Sequence, residues 1–140
     1  MHRLLMALAL SLALLPTTGR AQTSGLDQAA ELARSAWLAH DPAVLIAVSP
    51  RLLIQLPGAD PSVALGPAQA AALLADFLAS AQEVEVLIRA AREVEPGRGY
   101  VELQRRYRVT GTQDVRSQVL LLGYRLAPDG WKLVELRVVS

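Results

Sequence analysis

From residue 83 to the end, the chain alternates strand-like runs with turn chemistry, and no other feature constrains its fold as strongly. Four runs follow one another: EVEVLIRAAREV, YVELQRRYRVT, VRSQVLLLGYRL and WKLVELRVV. Pro96-Gly97, Gly111-Thr112 and Pro128-Asp129-Gly130 separate them, and Gly-bearing connectors between such runs are hairpin signals. Four strands joined in order by short turns predict an antiparallel meander. A meander must cover at least one face, and the upstream sequence supplies the cover. Residues 67–82, PAQAAALLADFLASAQ, place Ala70, Leu73, Leu74, Phe77, Leu78 and Ala81 on one helical face, with Gln69, Asp76 and Ser80 opposite. Leu26, Ala29, Ala30, Ala33, Ala36 and Trp37 form another helical stripe, preceded by a Thr23-Ser24 cap and continued by His40. Asp41-Pro42 starts a short helical turn as cap and first residue, and Ser49-Pro50 ends it. RLLIQLPG, residues 51–58, reads as one more short strand. The expected class is α+β: a curled antiparallel sheet of four to five strands, with the N-terminal helices packed on one face.

The opening, MHRLLMALALSLALLPTTGRAQ, has a basic start at His2 and Arg3, an apolar run from Leu4 to Leu15, and small residues at Gly19 and Ala21. That layout predicts a signal peptide over residues 1–21, cleaved to leave one domain over 22–140. The apolar run is short for a bilayer span, so the expected mature domain is soluble, not inserted in the membrane, and periplasmic or extracellular. The chain has no cysteine, which excludes lipid attachment through one and requires an apolar core without disulfides. Without residues 1–21 the chain keeps 12 basic and 13 acidic side chains. A nearly neutral domain is a poor counterion-releasing partner for nucleic acid.

YVELQRRYRVTG, residues 100–111, concentrates three arginines around a tyrosine, but alternation along a strand divides them. Arg106 and Arg108 fall with Tyr100, Glu102 and Gln104 on a mixed-charge face, where Glu83 and Glu85 of the preceding strand are available as partners. Arg105 falls with Val101, Leu103, Tyr107 and Val109, a charge on an apolar face. In the last strand the same mixture appears over Trp131, Leu133, Glu135, Arg137 and Val139. Should these faces coincide, Arg105, Tyr107, Tyr124, Glu135, Arg137 and His40 surround a candidate pocket between sheet and helices. The plainer structural alternatives are an Arg105–Glu135 ion pair, or a bulge that turns Arg105 outward. VRSQVLLLGYRL is apolar on both faces, which predicts a covered outer sheet face and, in so small a domain, a homodimer through it.

The stretches AWLAHDPAVLIAVSPRLLIQLPG (36–58), LGPAQAAALLADFLAS (65–80) and the closing DGWKLVELRVVS resemble the nuclear transport factor two-like superfamily. The resemblance implies a cystatin-like α+β cone of curled sheet closed by helices, closest to small exported bacterial domains of unassigned function. Isomerases and cyclases of that superfamily hold an acid or histidine in the cone. The isomerase base stands just before a proline at the end of the first strand, a position that corresponds here to Leu56, which cannot carry a proton.

Beyond His2, the only histidine is His40, and with no cysteine a zinc site is not expected; nor is a cofactor, since no phosphate loop is present. Three readings stay open. The first is a non-catalytic exported domain that binds an unknown small molecule or envelope protein. The second is an enzyme of the isomerase, dehydratase or cyclase type using Arg105, Tyr107 and Glu135. The third is a structural dimer whose cone is filled by Trp37, Leu73, Phe77 and Trp131.

Overall fold

A computed structural model describes residues 18–140, with side chains from Gly25 onward. The basic start and apolar run of the expected leader lie outside the described residues. The elements are α1 (Thr18–Leu38), α2 (Pro42–Leu45), β1 (Leu53–Gln55), α3 (Pro67–Leu78), β2 (Ala81–Glu95), β3 (Arg98–Val109), β4 (Val115–Ala127) and β5 (Gly130–Val139). The helix runs through Thr23-Ser24 rather than starting there. A cap preference acts only where a helix has a reason to begin, and the upstream residues continue this one.

β2 to β5 form the antiparallel meander, and β1 adds to β5 in parallel, giving one open sheet in the order β1-β5-β4-β3-β2. The sheet is therefore mixed, because β1 reaches it across the whole meander instead of through a hairpin. Pro96 and Gly97 join β2 to β3 as the expected tight turn, with Gly97 at φ 76°, a conformation that a side chain would strain.

The helices lie on one face. Leu26, Ala30, Ala33, Ala36 and Trp37 of α1 are buried, and alanine at three of these positions lets the helix approach the strands closely. α3 buries Ala70, Leu74 and Leu78. From the sheet, Val86, Val101, Leu103, Leu120, Leu122, Leu133, Leu136 and Val138 complete one core. Burying this apolar area, at roughly 25 cal/mol per Å², carries the stability of a domain that has no disulfide.

Four irregularities decide which side chains enter that core. In β2 the pairing with β3 slips between Glu83 and Glu85, between Ile88 and Ala90, and between Glu93 and Glu95. Between β4 and β5, Gly123 faces Glu135 while Tyr124 faces Leu133, so Val134 is the extra residue. An extra residue reverses the in–out alternation beyond it.

Candidate functional site

Arg105 lies on the inner face of β3, as strict alternation requires, and is 1% exposed. A buried guanidinium must be paired. Its partner is Glu83, turned inward by the slip at Val84, with a side chain that is also 1% exposed. Arg105 Nε donates to Glu83 Oε2 at 3.2 Å, and Arg105 Nη2 donates to Glu83 Oε1. This two-pronged geometry matches the planar fork of arginine. Gln118, directly opposite Arg105 on β4, accepts from Nη1 at 3.1 Å, and its own amide reaches Ser140 Oγ at 3.5 Å.

Aromatic rings enclose the same cation. The guanidinium carbon lies 4.0 Å from the ring centre of Tyr107, 5.3 Å from Trp37 and 5.6 Å from Phe77. Each face attracts a cation through its quadrupole, and desolvation strengthens the effect to about 2 kcal/mol. α1, α3 and β3 thus contribute one ring each around a charge that β2 and β4 hydrogen-bond.

His40 ends the first helical stripe. Its Nε2 lies 3.1 Å from Glu83 Oε1, and its side chain is 28% exposed, so it connects the buried pair with solvent. Its φ of 52° places it in the left-handed region, which aims the ring back toward the sheet. Chemically, His40 is an oriented imidazole with open access. Glu83, by contrast, has both oxygens committed to Arg105 and is unavailable as a free base.

Of the six candidate pocket residues, the structure brings Arg105, Tyr107 and His40 together. Tyr124 faces inward but is six residues along β4 from Gln118, about 20 Å away at strand rise. Its burial pushes the phenol well above the ordinary tyrosine range. Glu135 and Arg137 are exposed on the outer face, because the extra residue at Val134 reverses the alternation of β5. The Arg105–Glu135 pair is therefore not formed, and Glu83 takes that role. Glu83 was assigned to the outer face by simple alternation. Glu85 does stay outside, 3.5 Å from Arg106. Among the described residues, no group of three or more His, Asp or Glu side chains is placed to hold a metal ion.

No family model matches the chain, and no curated protein matches it. Solved structures do. A ketosteroid isomerase-like protein from Erwinia carotovora atroseptica superposes with a TM-score of 0.69 at 15% identity, over 84% of this chain and 94% of that one. A Streptomyces avermitilis protein, provisionally assigned as a dehydratase of the nuclear transport factor two-like family, gives 0.64 at 15%, over 86% and 96%. The fold is nuclear transport factor two-like. A Thiobacillus denitrificans protein with this fold, provisionally assigned as a calcium/calmodulin-dependent protein kinase type II association domain, gives 0.63 at 18%, over 80% and 91%. Within this fold Arg105 lies boxed among its rings on the inner face of the sheet, and Leu56 follows β1 half-buried against the core.

Proposed function

We propose that the protein is an exported, non-catalytic interaction domain that pairs with a second copy of itself through the outer face of its sheet. The observation that carries this reading is a band of apolar side chains on that face. Leu87, Val119 and Val139 lie in one cross-strand row, joined through Gln104, and Leu121 stands beside Val119 on the same face. Leu87 and Val139 remain 37% and 42% exposed. The helices cover the inner face only, so β4, apolar on both sides, has its outer half open. A second copy laid on this face would bury roughly 800 Å² per partner, the usual size of a stable interface.

Two further facts support the reading. The charge inside the cone is consumed by the Glu83–Arg105 pair, and Glu135 stands on the opposite face, so Arg105, Tyr107 and Glu135 do not meet as an enzyme site. The relative assigned as an association domain shares the fold, which fits an assembling role. Export rests on the basic start, apolar run and small-residue site of residues 1–21.

Sedimentation of the purified protein at micromolar concentration tests the pairing. A dimer mass that falls to the monomer mass in Val119→Glu, with secondary structure retained, supports it. A monomer mass for the unaltered protein ends it.

A further inference from the structure

The outer face carries an acid and a base placed symmetrically about its middle strand. β4 is the centre of the sheet, with β3 and β2 on one side and β5 and β1 on the other. Leu121 of β4 faces Glu102 of β3 and Arg137 of β5 in one cross-strand row. Glu102 and Arg137 are therefore two strand spacings apart, roughly 10 Å between Cα atoms, with Leu121 between them. Neither makes an ion pair among the described residues. Glu102 Oε1 accepts from the Tyr100 hydroxyl at 3.0 Å, and Arg137 Nε donates to the neutral Gln55 Oε1 at 3.1 Å. Among the described residues, that leaves one carboxylate oxygen and both terminal guanidinium nitrogens without a partner.

A second copy laid on this face takes both charges out of water, and a buried charge must be paired. The direction of the two-fold axis between the sheets decides whether it is. An axis across the strands at Leu121 sets Glu102 on the partner's Glu102 and Arg137 on the partner's Arg137. Moved halfway toward Val119, the same axis sets Glu102 on the partner's Gln104 and Arg137 on the partner's Val139, with no counter-charge. A diagonal axis crosses the strands at a right angle and lays both charges over β4, which is uncharged from Ser117 to Gly123. An axis running along β4 exchanges β3 with β5 and keeps every row at its own level. Glu102 then meets the partner's Arg137, and Arg137 meets the partner's Glu102.

We propose that two reciprocal Glu102–Arg137 pairs, one on each side of a two-fold axis along β4, specify how the chain recognises its second copy. The inference rests on the pairing reading and deepens it. The same axis sets Val119 and Leu121 against their own counterparts, so the apolar centre closes on itself between the two ion pairs. One row further, it brings the partner's Glu135 over Tyr100, whose ring carries the Arg92 guanidinium at 5.6 Å. Opposite charges thus meet in that row as well. Each acid and base stands alone in one chain and is answered in the pair.

Sedimentation of Glu102→Arg and Arg137→Glu, each alone and then mixed in equal amounts, tests it. Alone, each variant sets like charges together at both contacts, and its dimer is expected to dissociate about a hundredfold more readily. The mixture is expected to regain the dimer mass, because a Glu102→Arg copy facing an Arg137→Glu copy restores opposite charges at both contacts. A misfolded variant could not recover on mixing. If the unaltered protein is a dimer and either variant alone keeps its dimer affinity, this arrangement is overturned and the pairing reading stands. A mixture that stays monomeric has the same meaning. A monomeric unaltered protein ends both.

Discussion

Glu83 pairs with Arg105 although the two are not cross-strand neighbours: Tyr107 faces Glu83, and Val86 faces Arg105. The slip at Val84 lets the carboxylate reach diagonally across the sheet to the guanidinium. Removing either partner leaves a buried charge unpaired. Arg105→Met and Glu83→Gln are each expected to destabilise the protein by about 3–5 kcal/mol. The double variant Arg105→Met/Glu83→Gln should lose much less than the sum. Denaturant unfolding of the four proteins measures the coupling, and additive losses would show that the two side chains are energetically independent.

His40 combines a side-chain bond to Glu83 with a left-handed backbone. Both His40→Ala and His40→Gly remove the bond, but only glycine relieves the backbone. The glycine variant is expected to be the more stable of the two by about 1 kcal/mol. Equal melting temperatures would mean that the turn relaxes without penalty.

Gly99 gives α1 its seat on the sheet. A Cβ there would lie 2.8 Å from Leu26 Cδ1 and 3.2 Å from Trp131 Cζ3, both in buried side chains. Gly99→Ala is expected to destabilise by about 1–3 kcal/mol through overpacking. Adding Leu26→Val should recover part of that loss, although Leu26→Val alone removes a core methylene. Thermal melts of the three variants check the sign of this coupling.

Tyr124 makes stability fall in alkali. Its phenol titrates above the ordinary value of 10.0 in the folded protein because burial disfavours the phenolate. As pH rises, the unfolded chain therefore releases this proton first. The contribution is intact below about pH 10 and is lost above it, at up to about 1.4 kcal/mol per pH unit. Tyr124→Phe should flatten the decline of melting temperature with pH in this range. An unchanged decline would assign alkaline unfolding to other groups.

The sequence carries the fold in its coarse period. The helical stripe ending at Trp37, the amphipathic run over residues 67–78 and the three turns of the meander all lie where their residues predict. Local spacing was enough because each of these segments buries the face it advertises. The site was only half legible. Arg105 and Tyr107 follow plain alternation, but Glu83 and Glu135 lie next to a slip of register, and Arg137 follows Glu135 on the reversed stretch beyond it. A slip depends on how one strand meets another, so a run such as Glu83-Val84-Glu85 gives no sign of which acid turns inward. The one available clue was the buried cation itself: a guanidinium on a core face requires an acid, and the neighbouring strand supplied two. His40 looked isolated for the same reason, since its partner was placed outside. The parallel seat of β1 on β5 was likewise invisible, because no hairpin announces it.

The spacing of the three slips in β2 has a consequence for how copies of the chain can meet. β2 is one lateral border of the sheet, 15 residues long, and the other border, β1, has only three. Val84, Arg89 and Val94 each drop out of the ladder, leaving stretches of four paired residues between them. A strand from another molecule laid along that border would find its bonding rhythm broken every fifth residue. Ribbon growth is thereby blocked on one side by interruption and on the other by shortness.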